Sequence, residues 1–238
     1  MANDHMPCLT IGPTIPSSYL DNRVANDSDY SINLFHTDNS FTSNWLSTKP
    51  RGSVVYVAFG SMASLDEKQM EELVFGLMNS NCNFLWVVRA SEDEKLPKDS
   101  NFMEQVSKKG LIVRWSPQLE ILSNEAIGCF FSHCGWNSTI EALSLGVPIV
   151  AMPQWTDQTT NAKLVQDLWK MGIRVRVDEK GLVGREEIET CIKEVLEGER
   201  GKEMKKNALK WKELAKEALS EGGTSDNNIE ALVSKLTK

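Results

Sequence analysis

The sequence has few of the features that mark secreted and membrane proteins. Its five cysteines form no C-x-x-C pair and no spacing typical of a disulfide framework, which argues against a disulfide-stabilised secreted domain. No apolar run approaches the roughly 18 residues that cross a membrane. The N-terminus is polar, whereas a signal peptide would be basic and then apolar. These absences predict a cytoplasmic protein that has no membrane partner.

Positive charge and histidine are also scarce. The chain carries 26 Lys and Arg against 33 Asp and Glu, and the basic residues cluster only around positions 202–212. Nucleic-acid binding needs a concentrated positive face, so no nucleic-acid partner is expected. The chain has three histidines, and the adjacent pair His133-Cys134 lacks the second ligand pair of a zinc site. We therefore predict neither a metal ion nor another cofactor.

Residues 1–50 lack a sustained hydrophobic period. The stretches PCLTIGPTIPSS and DNRVANDSDYS are rich in Pro, Asn, Asp and Ser, a composition typical of an extended arm or linker. A short helix is predicted at 43–47, just before the composition changes at Gly52.

From Gly52 onward, short apolar runs alternate with helical patterns. The runs cover residues 53–60, 84–89, 111–115, 127–133, 147–153 and 172–177, and their apolarity is continuous rather than alternating. Continuous apolar strands are typical of a parallel sheet that helices cover on both faces. The pattern predicts an α/β domain with a doubly wound, mostly parallel, six-stranded Rossmann-like sheet.

Helical periodicity fills the intervals between these runs. Residues 70–77 follow an i, i+3, i+4, i+7 pattern, and Ser64 with Glu67 has the spacing of a capping box at the start of that helix. Further stripes at 164–171 and 188–196 end at glycines, and the charged segment 199–220 ends at a glycine pair. A last helix is predicted over 226–236, with Thr224 or Ser225 as its cap.

Polar and aromatic residues follow the predicted strands, at the edge where helix N-termini present free N–H groups and such sheets bind ligands. Ser61 follows the first strand, where Gly-Ser is either a phosphate-binding turn or, more commonly, an ordinary loop. Trp115, Ser116 and Gln118 follow the third strand. Trp115 could stack on a flat heterocycle, with Gln118 as an amide partner for that ligand. Alternatively, Trp115 covers the end of the hydrophobic core, and Pro117 is the first residue of the next helix.

The run FFSHCGWNST, residues 130–139, follows the fourth strand. His133 ends the strand and Gly135 permits a tight turn, and Asn137-Ser138 then begin the next helix. Free N–H groups at that helix start, together with one imidazole, predict an anion site for a phosphate. Two other interpretations stay open: Ser138 and Glu141 have the spacing of a capping box, and His133 could be an ordinary hydrogen-bonded core residue.

Asp157 and Gln158 follow the fifth strand. Their side chains match the hydroxyl groups of a sugar, although Asp157 is also an ordinary N-cap candidate. Each strand end has an ordinary explanation when taken alone, but together they supply an aromatic slot, a diphosphate cradle and a hydroxyl-binding pair. That combination predicts a nucleotide-sugar site. Neither G-x-G-x-x-G nor G-x-x-x-x-G-K-[ST] occurs to indicate a dinucleotide or P-loop site.

The 44 residues from Trp115 to Gln158, WSPQLEILSNEAIGCFFSHCGWNSTIEALSLGVPIVAMPQWTDQ, resemble the signature box of plant UDP-dependent glycosyltransferases. The stretches TIGPTIPS (10–17), GSVVYVAFGS (52–61) and FLWVVR (84–89) extend the resemblance over nearly the whole chain. The chain is most similar to the branch of small-molecule glucosyltransferases that act on phenolics, benzoates or terpenoids. The resemblance implies UDP-glucose as the donor substrate.

The resemblance also implies a role for each matching residue of the site. For the nucleoside, it implies that Trp115 stacks on uracil, that the backbone of Ser116 bonds the base, and that Gln118 and Glu141 hold the ribose hydroxyls. It implies that the diphosphate contacts Ser61, His133, Asn137 and Ser138, and that the sugar contacts Trp136, Asp157 and Gln158. In this family a Gln at the position of Gln158 is associated with glucose rather than galactose.

Enzymes of this family are longer than the present chain. They have two Rossmann-like halves that face each other across a cleft, the GT-B fold, and the chain corresponds to the C-terminal, donor-binding half. The general base and most of the acceptor pocket are expected in the N-terminal half, so no catalytic residue is predicted here. The expected activity of the whole enzyme is inverting transfer of glucose to a small-molecule acceptor. A non-catalytic UDP-sugar-binding module is the alternative.

The expected organisation of the chain follows from this correspondence. Residues 1–50 would form an interdomain arm, 51–221 the UDP-sugar-binding domain, and 222–238 a C-terminal helix that packs on the N-terminal domain of the same enzyme. Without that partner, we expect the two terminal segments to be disordered, docked back on the domain, or engaged in contacts with other molecules.

Overall fold

The sheet predicted from the apolar runs is present in the structure. A computed structural model describes residues 8–24, 39–97 and 102–237. The strands are β1 (Val54–Ala58), β2 (Asn83–Val87), β3 (Gly110–Val113), β4 (Ile127–Ser132), β5 (Ile149–Ala151) and β6 (Gly172–Arg174). Their order is β3-β2-β1-β4-β5-β6, and every neighbouring pair is parallel. The doubly wound sheet is therefore confirmed, and it is wholly parallel over the described residues.

Helices connect the strands and follow the last of them. They are α1 (Asn39–Ser47), α2 (Glu67–Asn79), α3 (Phe102–Ser107), α4 (Gln118–Ser123), α5 (Trp136–Leu145), α6 (Gln158–Lys163), α7 (Arg185–Glu197), α8 (Glu199–Leu219) and α9 (Thr224–Leu236). A π-helical turn, Leu164–Leu168, continues α6. Within the described parts of the chain, no helix has the length and apolarity to span a membrane.

Alternate residues of β1 enter two separate layers of the core. Val55 and Val57 join the layer that contains α2 and α7 residues such as Leu73. Val54 and Tyr56 join the opposite layer, which contains residues of α4, α5 and α8. Because successive side chains of a strand point to opposite faces, a sheet covered on both sides needs apolar residues at every position.

A β-bulge lies between β1 and β4. The register shifts between Val54 and Val55, and Gly128 is the extra residue of β4. A Cβ at Gly128 would lie 2.2 Å from the Gly52 carbonyl oxygen and 2.5 Å from Leu196 Cδ2. The bulge thus depends on a glycine, because two backbones approach here more closely than a side chain permits.

The strand β6 forms one edge of the sheet. Two backbone N–H groups, in β6 and just after it, point away from β5 and are bonded by side chains. Gln166 Oε1 accepts from Arg174 N at 2.9 Å, and Glu187 Oε1 accepts from Arg176 N at 3.0 Å, just beyond the strand. The Arg176 guanidinium also pairs with the Glu187 carboxylate at 3.0 Å. Both N–H groups are therefore occupied without a further strand.

The cap predicted for α2 is wrong by two residues. Asp66 is the N-cap, and its carboxylate accepts from Gln69 N at 2.7 Å. Ser64 instead accepts from Lys95 Nζ at 2.6 Å and lies 3.2 Å from the Glu92 carboxylate. The hydroxyl of Ser64 is thus used in a tertiary contact, which leaves the helix start to the aspartate.

The arm and the last helix contact each other. The predicted caps of α9 are wrong, because the helix begins at Thr224 without a side-chain cap. Ser225 Oγ instead donates to Gly12 O at 2.6 Å, and Arg23 pairs with Asp226 at 3.0 Å. The described parts of the two terminal segments are therefore docked on each other. The division of the chain at 50 and 221 stays a prediction.

Candidate functional site

The direction of winding reverses between β1 and β4. From β1 the sheet continues through β2 to β3, and from β4 it continues through β5 to β6. Loops that leave the two central strands therefore diverge and open a crevice at their carboxyl ends, where doubly wound proteins bind ligands. Ser61 follows β1 and His133 follows β4, so these two predicted phosphate contacts border the crevice.

The imidazole of His133 lies between two glycines. A Cβ at Gly60 would be 2.8 Å from His133 Nε2, and a Cβ at Gly135 would be 2.6 Å from it. His133 is 9% exposed, and its buried Nδ1 makes no hydrogen bond of normal geometry to the described residues. The backbone of Ala58 also hydrogen-bonds the ring, so the interpretation of His133 as an ordinary core residue stays open beside the phosphate role. The ring is held by close packing at the crevice.

Burial also sets the protonation state of this histidine. It lowers the pKa of His133 below its usual range, while the charge of Asp157 and the backbone of Ala58 act in the opposite direction. The imidazole is consequently neutral at pH 7, where it offers one N–H donor and one acceptor nitrogen.

The lowered pKa of His133 predicts a loss of stability in mild acid. The unfolded chain takes up a proton on this residue as the pH falls below about 6.5, whereas the folded state does not until its lower pKa is reached. Stability therefore falls over that window, by at most about 1.4 kcal/mol per pH unit. Urea unfolding of the wild type and His133→Gln at pH 7.5 and 5.5 is expected to show a larger loss for the wild type. Equal losses would contradict the lowered pKa.

Helix α5 begins at the crevice without a side-chain cap. Its first residue is Trp136, and Asn137 in the first turn is exposed. Ser138 and Glu141 lie inside the helix, and both side chains bond to Gln118. The capping-box interpretation is therefore wrong. The N–H of Trp136 bonds the Asp157 carboxylate, whereas the N–H groups of Asn137 and Ser138 meet no side-chain cap and are the ones that the phosphate prediction requires.

Gln118, at the start of α4, connects that helix to α5. Its Nε2 donates to Ser138 Oγ at 2.9 Å and to Glu141 Oε2 at 2.6 Å. Glu141 is 7% exposed; burial raises the pKa of its carboxyl, and the hydrogen bond from Gln118 acts in the opposite direction. The structure thus places an amide and a carboxyl group side by side, the arrangement expected for contacts to ribose hydroxyls.

Trp115 and Ser116 lie between β3 and α4. The Trp115 side chain is half-buried and lies outside the buried core, so the structure does not support its interpretation as a core plug. Pro117 is the N-cap of α4 rather than its first residue. Ser116 is buried, and its Oγ lies 3.0 Å from the hydroxyl of Tyr56 in β1, which stacks on Phe130. This contact anchors the loop that carries the indole to the centre of the sheet.

Asp157 and Gln158 are held in different ways. The exposed Asp157 carboxylate accepts from Thr156 Oγ1 at 2.8 Å and from Asn161 Nδ2 at 2.7 Å. Asp157 occupies the N-cap position of α6, as the ordinary interpretation has it, but its side chain makes no capping bond to the backbone of that helix. Gln158 is 6% exposed, and its Oε1 accepts from Gln154 N at 2.8 Å. Because that bond fixes the amide, Nε2 is the atom of Gln158 that can reach a ligand.

The remaining predicted residues lie around the same crevice. Asp157 is close enough to His133 to affect its pKa, and the backbone of Trp136, besides Thr156 and Asn161, lowers the pKa of Asp157. The indole of Trp136 is 52% exposed. Ser61 is exposed on the opposite side, next to the glycine that packs on His133.

Three supporting residues carried no predicted role. Arg89 Nη1 donates to the carbonyl of Ser61, Tyr56 contacts Ser116, and Asn161 contacts Asp157. The sequence contains a signal for two of them, because Tyr56 interrupts an aliphatic strand and Arg89 ends an apolar run. A buried hydroxyl, or a half-buried guanidinium at the end of an apolar run, needs a polar partner.

Named plant glycosyltransferases are similar to this chain in sequence and in structure. It is 62% identical over 233 residues to UDP-glycosyltransferase 74F2 of Arabidopsis thaliana, an alignment of 97% of this chain and 51% of the relative. It is 59% identical to flavonol 7-O-beta-glucosyltransferase UGT74F1 of the same plant, over 97% of this chain and 51% of the relative. The crystal structure of Os79 from O. sativa in complex with UDP matches with a TM-score of 0.89 and 46% identity, over 95% of this chain and 50% of that chain.

The chain spans about half the length of the relatives it matches. A family model described as UDP-glucoronosyl and UDP-glucosyl transferase matches residues 36–219 of the 238. That range contains all six strands and the crevice at their carboxyl ends. The chain therefore belongs to the UDP-glucoronosyl and UDP-glucosyl transferase family.

Proposed function

We propose that this chain is the donor-binding domain of an inverting glucosyltransferase, which moves glucose from UDP-glucose to a hydroxyl or carboxyl group of a small plant metabolite (a phenolic, benzoate or terpenoid). The observation that carries the proposal is the hydrogen-bonded cluster of Gln118 in α4 with the buried Ser138 and Glu141 of α5, a helix whose N-terminus follows His133 and has no side-chain cap. The similarity to Os79, which was solved with UDP, supports the same assignment.

The nucleoside occupies one end of the crevice in this proposal. Uracil stacks on Trp115, and the backbone of Ser116 bonds its polar edge. The ribose hydroxyls bond Gln118 and Glu141, whose side chains are already 2.6 Å apart, with Gln118 half-buried and Glu141 buried. A preformed amide and carboxyl pair loses little conformational entropy on binding, which favours recognition of a ribose.

The diphosphate occupies the centre. Ser61, His133 and the N–H groups of Asn137 and Ser138 are assigned to its oxygens. When the bond to the anomeric carbon breaks, negative charge develops on the leaving diphosphate, and helix N–H groups fixed in advance stabilise that charge. The acceptor attacks the anomeric carbon from the face opposite UDP, which inverts its configuration.

Glucose occupies the end near α6. Asp157 and the Nε2 amide of Gln158 are assigned to its hydroxyl groups, and Trp136 shapes the pocket. The hydrogen bonds of Thr156 and Asn161 to the Asp157 carboxylate support this role. A carboxylate held in a fixed orientation can distinguish sugars that differ in the orientation of a hydroxyl group. The assignment favours glucose as the donor sugar.

The general base and the acceptor pocket are assigned to the N-terminal domain of the same enzyme. Helix α9 supports such a partner, because it exposes a set of apolar side chains whose exposure runs from 42% to 77%: Ile229, Leu232, Val233 and Leu236. We infer that the chain alone binds UDP-glucose and transfers little or no glucose.

Calorimetric titration of the chain with UDP, UDP-glucose and ADP tests this proposal. Saturable binding of UDP and UDP-glucose is expected, with ADP at least about tenfold weaker, since a tenfold difference is about the worth of one or two hydrogen bonds to the base. Equal affinity for ADP and UDP would contradict a uridine site. No binding of either nucleotide would contradict a donor site formed by this chain. Mass spectrometry with a phenolic acceptor is expected to detect little or no glucoside.

A further inference from the structure

Asn161 is a buried amide whose two N–H groups are both used. It lies in α6 and is 4% exposed. Its Nδ2 donates to Cys134 O at 2.9 Å and to Asp157 Oδ2 at 2.7 Å. Asparagine is a poor helix former, so local helix preference does not explain its place here. The side chain instead connects two loops that border the crevice.

One of these loops is a strained turn. Cys134 has a φ of 61°, in the left-handed region that non-glycine residues rarely adopt. Its N–H donates to Ser132 Oγ at 3.1 Å and its carbonyl accepts from Asn161. A strained residue persists only where its surroundings determine its conformation. The turn joins His133 to the N-terminus of α5, so the same bonds hold both parts of the proposed phosphate site.

The other loop carries the exposed carboxylate of Asp157. Thr156 Oγ1 bonds one oxygen at 2.8 Å and Asn161 bonds the other at 2.7 Å. Thr156 is itself exposed, whereas Asn161 is buried in the domain. Asn161 thus anchors the carboxylate to the fixed part of the fold, together with the backbone of Trp136. The carboxylate is exposed and therefore accessible to a ligand hydroxyl.

We propose that Asn161 is a positioning residue of the donor site, which fixes the Asp157 carboxylate relative to the turn at Cys134 and thereby sets the affinity for the sugar. This inference rests on the proposed function, because it assigns Asp157 to glucose. Asn161 itself is not expected to touch the substrate.

The ratio of the dissociation constants for UDP and UDP-glucose tests this role. In Asn161→Leu, which keeps the side-chain size but removes the amide, UDP-glucose is expected to bind about tenfold more weakly, and UDP to change by less than about twofold. In the Asp157→Ala background, Asn161→Leu should leave the ratio unchanged, since the carboxylate that it positions is gone. Asn207→Leu is the matched control, because Asn207 donates to Lys170 O at 3.0 Å in another part of the domain.

A residue that merely supports the fold would give a different pattern. Equal weakening of UDP and UDP-glucose, or an undiminished effect of Asn161→Leu without Asp157, would overturn the positioning role and leave the proposed function intact. A wild-type chain that binds neither nucleotide would overturn the proposed function and this inference with it. If Asn161→Leu fails to fold, Asn161→Asp provides the test. It retains the size but places a second carboxylate beside Asp157, and the same selective loss of UDP-glucose affinity is expected.

Discussion

Replacement of Trp115 by alanine is expected to weaken binding of UDP and UDP-glucose by about 10- to 100-fold. Stacking of a base on an aromatic side chain is worth roughly 1–3 kcal/mol, and the half-buried indole lies on a loop that Ser116 anchors to Tyr56. Because Trp115 lies outside the buried core, the fold should tolerate the change. Calorimetry at 25 °C gives the two dissociation constants.

Trp211 offers a matched control for this prediction. It packs against Trp169, and its Nε1 donates to Trp169 O at 3.1 Å. Trp211→Ala removes the same side chain from α8, so a lower unfolding temperature with unchanged nucleotide affinity is expected. Trp115→Phe should retain part of the affinity, since a smaller ring still stacks. Unchanged binding by Trp115→Ala would show that the base lies elsewhere.

Gly128→Ala is expected to lower the free energy of unfolding by about 3 kcal/mol, at the upper end of the cost of overpacking a core. The added Cβ would stand 2.2 Å from the Gly52 carbonyl oxygen, which belongs to the backbone and cannot rotate away. Relief requires β1 and β4 to separate at the bulge, in the middle of the sheet. Urea unfolding followed by circular dichroism measures the change.

Gly184→Ala is the control for the bulge. A Cβ at Gly184 would meet only Glu186 Oε2, at an ordinary 3.5 Å. Gly184 is the N-cap of α7, where exchange of glycine for alanine typically costs less than about 1 kcal/mol. A loss for Gly128→Ala no larger than for Gly184→Ala would mean that the bulge relaxes easily.

The apolar runs were sufficient to predict six strands, but not the ends of the strands. The run 172–177 predicts a longer strand than the observed Gly172–Arg174. A strand extends only as far as its neighbour, and β5 ends at Ala151, shortly before Pro153, which has no N–H to donate. Pairing between distant segments therefore decides a boundary that local hydrophobicity leaves open.

Helix starts were ambiguous for a similar reason. Ser64 with Glu67 and Asp66 with Gln69 both have the spacing of a capped helix start. The choice of Asp66 depends on Lys95, which takes the Ser64 hydroxyl in a contact across 31 residues. No local pattern contains that information.

The predicted site residues lie around one crevice, although the sequence does not show how they are connected. Gln118 and Glu141 are 23 positions apart in the sequence with a whole strand between them, and only the folded sheet brings the two side chains to 2.6 Å. Asn161 was missed because it lies beyond the stretch Trp115 to Gln158 that resembles the family signature. The roles of all these residues toward UDP-glucose stay predictions.

The bonded edge of β6 has a consequence for the behaviour of the chain at high concentration. A sheet edge with free N–H groups is a template on which another chain can add a strand, the first step of aggregation. At Arg174 and Arg176 such an addition would first have to displace Gln166 and the charged Glu187. This side of the sheet is thereby protected against edge-to-edge association, and polymeric growth from it is disfavoured.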